Sequence, residues 1–446
     1  MSSIRSIERH LRPLLTTVAD DLARETGLIQ RQRTFRGSTL LQTFLFGWLE
    51  NPDASLSQLA TMAARLDVPV SPQALDQRFT PTFVTFLDRL LDALRPEVVA
   101  APPVAIPLLR QFSAVYLLDT TQLALPDEAA AVWPGCGGSH GSGQAALKLS
   151  TLLDLVSGRL LGPLRHAGRV HDQRAAQDHP GVPSGTLRIT DRAYFDLETL
   201  RKLDKLDSFW IVRPKIDTIL TLPEQTFKVG GALAAWLDEQ PEQRHDVPLL
   251  LGAKHRLPAR LVAERASPEI RTERLKRLKV KAAKDGRTVS PDQHALADWN
   301  LWVTNLPPER ADGAAVAVLA QSRWRVPSGR EWLFRFWKEH LGLNRSRSAK
   351  PLRTLAECYV KLLGAVLMHW LQIASCWQEP ERSLVKAYRQ LRTELAELGR
   401  RLGRNHGVLA HLTRMTQQVD RHCTVTKRRQ HPSTAQLLLN PALRDP

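Results

Sequence analysis

The stretch Val115-Tyr-Leu-Leu-Asp-Thr-Thr-Gln-Leu123 decides the fold, because it is a β-prone run that carries a single carboxylate, Asp119. A second β-prone run, Leu187-Arg-Ile-Thr-Asp191, also closes on an acid. A third acid, Glu331, opens an amphipathic helix predicted over 331–341. Hard divalent cations prefer oxygen ligands, so two strand-borne aspartates and one helix-borne glutamate predict a site for a pair of Mg²⁺ ions.

Each acid also has an ordinary structural interpretation. Asp119 could be a strand-end residue whose carboxylate accepts hydrogen bonds from the local backbone. Asp191 could begin a turn or cap the following helix. Glu331 stands at the fourth position of Ser328-Gly-Arg-Glu331, which has the form of a capping box. The sequence leaves both interpretations of each acid open.

The helix that begins at Glu331 presents charge on one side and apolar groups on the other. Glu331, Arg335 and Lys338 project from one face, where they are suited to contact metal and successive phosphates of a strand. The alternative is an exposed salt-bridged stripe. The opposite face is predicted to hold the helix on the sheet through apolar side chains, namely Leu333, Phe334, Trp337 and Leu341.

Composition narrows the class of partner. The 446 residues include 62 Lys and Arg against 45 Asp and Glu, a formal charge of +17, which favours a polyanionic partner. The charge alone does not distinguish a DNA partner from RNA or from an anionic membrane. The four cysteines are far apart and lack a CxxC pair, which fits a reducing cytoplasm and supports neither a disulfide frame nor a zinc site. We expect no membrane span and no secretion signal.

The order of elements predicts several regions. Helices are expected up to about residue 105, and 56–79 has helix-turn-helix proportions, with Gln73, Gln77 and Arg78 facing a groove; an ordinary helical hairpin is the alternative. Strands are predicted at about 114–124, 145–156 and 159–167, then at 208–214. The 140 residues between Asp191 and Glu331 exceed a crossover connection and imply an insertion.

The predicted insertion has three features. It contains strand patterns near 248–253, 259–263 and 300–305, and its tryptophans Trp299 and Trp302 fit either strand core or stacking on an unpaired base. Arg271–Arg287 is rich in Lys and Arg and is expected to form a helix and loop near phosphate, or else a solvated face.

Taken together, these residues resemble the DDE transposases of bacterial insertion sequences, in the IS-four-like group, whose catalytic domain is RNase H-like. The resemblance rests on Asp119 with its Thr120-Thr121-Gln122 tail, on Asp191-Arg-Ala-Tyr-Phe195, and on the spacing of Glu331 and Lys338. It runs from about residue 35 to about residue 377.

The resemblance implies an α/β fold with an RNase H-like mixed sheet flanked by helices, a β-rich insertion and helical N- and C-terminal regions. The implied division is a helical DNA-binding domain at 1–105, the catalytic core at 106–215 and 313–378, a β-rich insertion at 216–312 and a basic helical region at 379–446.

The resemblance also implies the chemistry. Asp119, Asp191 and Glu331 would bind two Mg²⁺ ions, with Mn²⁺ as a substitute, and would catalyse cleavage at transposon ends and strand transfer into target DNA. The Tyr and Arg positions of the group's third motif are Trp324 and Pro327 here. DNA contacts are therefore expected from basic residues nearby, namely Arg323, Arg325, Arg330, Arg335 and Lys338.

The implied partners are double-stranded DNA, as transposon ends and target, and a second copy of the chain in a synaptic homodimer, in the cytoplasm at the bacterial nucleoid. Two other functions stay open at this point. One is a catalytically inactive DNA-binding relative of a transposase, and the other is a structure-selective nuclease that lacks the joining step.

Overall fold

The computed structural model describes residues 2–31, 34–97, 99–137, 143–322, 332–379, 381–425 and 432–444. Its N-terminal part is helical, as predicted. Hydroxyl caps start several of its helices; Ser55 and Ser71, for example, accept hydrogen bonds from Gln58 N and Ala74 N. The helices are α1 Ser2–Leu15, α2 Thr17–Glu25, α3 Gly37–Glu50, α4 Leu56–Arg65, α5 Pro72–Asp76, α6 Pro81–Leu94 and α7 Pro107–Arg110.

The middle of the chain alternates strands with short helices. The strands are β1 Val115–Ala124, β2 Ala146–Asp154, β3 Leu160–Ala167, β4 Leu187–Ile189, β5 Phe209–Val212, β6 Ile219–Thr221, β7 Thr226–Lys228, β8 Arg244–Leu251, β9 Leu257–Arg265 and β10 Trp299–Thr304. The helices among them are α8 Asp172–Gln177, α9 Leu197–Lys205, α10 Gly231–Asp238, α11 Pro268–Lys284 and α12 Pro291–Ala295. Each strand predicted from the sequence is present.

The C-terminal part is again helical. Its helices are α13 Gly313–Gln321, α14 Trp332–His340, α15 Pro351–Cys376, α16 Leu384–Arg392, α17 Leu395–Arg404, α18 Val408–His422 and α19 Thr434–Leu439.

All ten strands form one sheet in the order β3-β2-β1-β4-β5-β10-β9-β8-β6-β7. β1, β2 and β3 pair antiparallel, whereas β4 lies parallel to β1 and β5 lies parallel to β4. This half has the strand order and directions expected of an RNase H-like sheet. The insertion's strands extend the same sheet, because β10 pairs antiparallel with β5.

The sheet has a different core on each face. One face packs against the N- and C-terminal helices in a large cluster that includes Val115, Leu149 and Ile189. The other face packs against the insertion's helices and α9 through a cluster around Trp210 and Leu261. Alternation along each strand sends successive side chains to opposite faces, so the register decides which residues meet.

Helix α15 is the central helix of the large cluster. Its most apolar window is long and apolar enough by composition to cross a membrane, and 94% of that window is buried inside the fold. Lys361 and His369, which interrupt its apolar run, are both partnered: Lys361 pairs with Glu357 at 2.7 Å, and His369 Nε2 lies 2.9 Å from the carbonyl of Gly158. Helices α3 and α6 pack directly on α15, which joins the N-terminal region to the same core.

Candidate active site

Asp119 lies on the helix-covered face of β1. Val115 and Leu123 each lie four residues from Asp119 along the strand and belong to the large cluster on that face. Asp119 therefore points to the same side, where it is half-buried. One of its oxygens, Oδ1, accepts the N–H of Thr120 at 2.9 Å. That bond is the local backbone contact expected of a strand carboxylate.

Asp191 lies beside Asp119. β1 and β4 pair in parallel with Leu117 opposite Ile189, and the chain remains extended at Asp191, so the register carried two residues further aligns Asp191 with Asp119. Adjacent strands are about 4.8 Å apart, so this register predicts that the two carboxylates lie near each other on one face. Asp191 also accepts the N–H of Arg192 and caps a short 3₁₀ turn at Arg192–Tyr194. Its capping role and its place beside Asp119 coexist, because a carboxylate has two oxygens.

Arg213 extends the aligned pair of Asp119 and Asp191 into a row of three positions. It was not among the site residues predicted from the sequence. β4 and β5 pair in parallel with Ile189 opposite Ile211, and the same two-residue step aligns Arg213 with Asp191. Its guanidinium lies 6.0 Å from the ring centroid of Trp302, on the next strand across. The available signal was the alternation of Ile211 and Arg213 at the end of a buried strand, which places the cation on the same face as the acids.

Helix α14 brings a second cation to the row. Its apolar residues Leu333, Phe334 and Trp337 are buried, as predicted, together with Leu341 just beyond its end. The Nζ ammonium of Lys338 donates to Thr121 Oγ1 and lies 3.5 Å from the carbonyl oxygen of Gln122. Lys338 is therefore at β1, next to the acids.

Arg335 has an acidic neighbour on its own helix. Its Nε donates to Glu339 Oε1 at 2.6 Å, one turn away, as in the salt-bridged alternative. The predicted phosphate contact of Arg335 stays a prediction. Several other predicted site positions lie outside the described residues, namely Glu331, Arg323, Arg325 and Arg330, together with Trp324 and Pro327.

The described acids fit a hard divalent cation. Asp119 and Asp191 both carry carboxylate oxygens, the type of ligand that Mg²⁺ prefers. Within the described ranges, no group of three or more His, Cys, Asp or Glu side chains converges as a metal site would require. The third predicted ligand, Glu331, falls in the gap at 323–331.

Both tryptophans of the insertion are buried in the sheet. Trp299 donates its indole N–H to Asp238 Oδ1 at 3.1 Å and lies under the guanidinium of Arg265 at 4.7 Å. Trp302 belongs to the large cluster. These contacts match strand core, the more ordinary of the two expectations.

The helix-turn-helix candidate consists of α4 and a second helix of only five residues, α5. Gln73 and Gln77 are exposed, whereas Arg78 is half-buried over the ring of Phe35 at 5.4 Å. Asp76 pairs with Lys350, in the loop that leads into α15, at 3.1 Å. The groove-facing role of this segment stays a prediction.

Comparison with known proteins gives a consistent result. Residues 110–367 match the family described as "Transposase DDE domain". The chain is 26% identical over 385 residues to the transposase for insertion sequence element IS231F of Bacillus thuringiensis subsp. israelensis, covering 82% of this chain and 78% of that protein. It is also 26% identical to the IS231C transposase of B. thuringiensis subsp. berliner, over 90% and 87% of the two chains, and 23% identical to the IS1151 transposase of Clostridium perfringens, over 78% and 76%.

Proposed function

This chain belongs to the DDE transposase family, and from that premise we propose that it cuts DNA at the ends of its element and joins the freed 3′-hydroxyls to target DNA in a divalent-metal-dependent reaction. The observation that carries the proposal is the parallel pairing of β1 and β4 in an RNase H-like sheet, whose register, carried two residues beyond Leu117 and Ile189, aligns Asp119 with Asp191. A transposase without adjacent acids at this position would lack the means to hold metal there.

Asp119, Asp191 and Glu331 are the residues proposed to hold two Mg²⁺ ions. Bound there, the ions would supply positive charge beside the attacking and departing oxygens of a phosphodiester. The protein's own part is geometric. The Thr120 and Arg192 backbone N–H groups each hold one oxygen of an aspartate, which fixes the orientation of the remaining oxygen.

Two cations flank the acids in the same row. Lys338 approaches β1 from α14 at Thr121, and Arg213 follows Asp191 on the next strand. We propose that these two side chains bind phosphates on either side of the cleaved bond and hold the strand in line with the acids. Positioning of this kind converts the reaction into a step between groups already in place.

We further propose that two copies of the chain act together in a synaptic complex, each holding one element end. The family premise supports this arrangement. A sedimentation experiment on the protein mixed with end duplexes tests it: a complex of two chains and two duplexes is expected, and a complex of one chain with one duplex would contradict it.

One assay separates the proposed function from the two alternatives. The protein is incubated with Mg²⁺, a duplex that carries the element's terminal repeat, and a target plasmid. Joined product supports the transposase. Cleaved ends without joining indicate a nuclease, and a shifted band with neither product indicates a DNA-binding relative. Mn²⁺ in place of Mg²⁺ is expected to support joining as well.

A further inference from the structure

Helix α11 is the least buried long helix of the described fold. None of its 17 residues is buried. The helix packs against the rest of the insertion through a narrow stripe of half-buried residues at helical spacing. These residues are Arg271, Arg274, Leu275, Leu278 and Ala282. The remaining sides of the helix face solvent, and Val280 near its outer midline is 66% exposed.

The outer side of α11 and the turn after it carry excess positive charge. Two arginines of the helix are paired with acids, because Arg271 pairs with Asp298 at 2.5 Å and Arg277 pairs with Glu273 at 2.8 Å. Five exposed cations have no acidic partner among the described residues: four in the helix, Lys276, Lys279, Lys281 and Lys284, and one after it, Arg287.

These charges repel one another within the helix. Lys276 and Lys279 lie three residues apart, as do Lys281 and Lys284, and like charges at that spacing destabilise a helix. The helix dipole compensates only cations in the last turn, so Lys276 and Lys279 gain nothing from it. A polyanion bound along this face would offset the repulsion.

The stripe that anchors α11 connects it to the acids. Arg274 donates to the carbonyls of Ala297 and Trp299, at 3.1 Å each, and to Asn300 Oδ1. The same amide oxygen of Asn300 lies 3.4 Å from a guanidinium nitrogen of Arg213, the residue aligned with Asp191. Arg274 and Asn300 therefore link α11 to the candidate active site.

The length of the charged segment suits a DNA backbone. Lys284 is ten residues beyond Arg274, a rise of roughly 15 Å along the helix, which spans about four or five base pairs of duplex. We propose that the outer face of α11 binds the phosphate backbone of duplex DNA within about one helical turn of the cleaved bond. This inference rests on the proposed function, since it takes the acids as the point of cleavage.

Salt dependence of binding tests the inference without relying on cleavage. The full-length triple variant Lys276→Gln/Lys279→Gln/Lys284→Gln removes three cations from this face. The matched control, Lys202→Gln/Lys205→Gln/Lys254→Gln, removes three exposed lysines elsewhere. With end duplex, the α11 variant is expected to lower the slope of log K against log salt by about two to three units. The control is expected to leave the slope within about half a unit of wild type.

A photocrosslinker at Val280 then identifies the DNA. Crosslinking to end duplex alone assigns α11 to the element end, whereas crosslinking that appears only with target DNA assigns it to the target; either result supports backbone binding. An unchanged slope in the α11 variant, or equal losses in both triple variants, overturns the inference. A wild type that binds with a normal slope but never cleaves would instead overturn the proposed function.

Discussion

The ammonium of Lys338 donates a hydrogen bond to Thr121 Oγ1, two residues beyond Asp119 on the same strand and the same face. This contact joins α14 to β1 across 217 residues of sequence. It places the helix that immediately follows Glu331 in the chain next to the strand that carries the first acid.

Replacement of Lys338 by Met is expected to lower the slope of log K against log salt for end duplex by about one unit, because one phosphate contact is lost. Arg400→Gln is the control, since the exposed Arg400 guanidinium is paired with Glu397 on its own helix. Its slope is expected to change by less. Equal slopes for Lys338→Met and wild type would contradict a phosphate contact at Lys338.

Substitution of either aspartate is expected to remove catalysis and keep binding. Asp119→Ala and Asp191→Ala should each lower strand cleavage by at least about a thousandfold, the equivalent of roughly 4 kcal/mol in the activation barrier, because the metal loses a ligand. Cleavage is followed on labelled end duplex, and binding is followed by band shift. Glu128→Gln, an exposed acid outside the row, serves as the control with wild-type cleavage. Measurable turnover by Asp119→Ala would show that the row is not the site of catalysis.

The buried pair of Lys361 and Glu357 is expected to control stability. Both side chains are almost completely buried, and Lys361 Nζ also donates to the carbonyls of Gly342 and Arg345, just after α14. Lys361→Met leaves the Glu357 carboxylate buried without its cation, so the free energy of unfolding should fall by about 3–5 kcal/mol.

Urea denaturation measures this loss as a lower midpoint with an unchanged m value. The control is Lys350→Met, whose partner Asp76 and own side chain are solvent-accessible, and it should cost less than about 1 kcal/mol. The double variant Glu357→Leu/Lys361→Met is expected to recover part of the loss. A single variant as stable as wild type would contradict a stabilising role for the Lys361–Glu357 pair.

Acid is expected to destabilise the fold through His369. Complete burial lowers the pKa of His369 to about 4 in the folded state, against about 6.5 when unfolded. Above pH 6.5 both states are neutral at this residue. Between pH 6.5 and pH 4 the unfolded chain takes up a proton that the folded chain refuses, so stability falls as the pH falls, by about 3 kcal/mol in total.

The measurement is the free energy of unfolding in urea at several pH values between 7 and 4.5. His369→Gln keeps a donor for the Gly158 carbonyl and should show a shallower pH dependence than wild type. In this variant the free energy of unfolding still depends on pH, because burial also lowers the pKa of His179 to about 4. Identical slopes for the variant and wild type would contradict a neutral buried His369.

Much of the fold could be predicted from local patterns. The alternation around Asp119 and Asp191 predicted β1 and β4, and the apolar spacing in 332–341 predicted which side of α14 is buried. These signals are local because side chains repeat every two residues in a strand and every 3.6 in a helix. The strand order of the first sheet half followed from the family resemblance.

The partner of each charged side chain could not be predicted from the same patterns. Arg335 and Lys338 lie on one stretch of helix, yet Arg335 pairs with Glu339 while Lys338 reaches Thr121. The basic loop before α15 contacts acids of the N-terminal region, with Arg345 near Asp53 at 3.4 Å. Such partners depend on which distant segments pack together, and a charge pattern alone does not carry that information.

The sequence by itself determined that Asp119 would stand on a strand, that Asp191 would follow a second strand, and that a basic helix would lie in the insertion. Only the tertiary structure decided the register of β1, β4 and β5, which carried two residues further aligns Asp119, Asp191 and Arg213, and only it decided that Arg274 contacts Asn300. The physical reason is that strand register is fixed by hydrogen bonds and packing between residues far apart in the chain. A shift of one residue would turn each of these side chains to the opposite face.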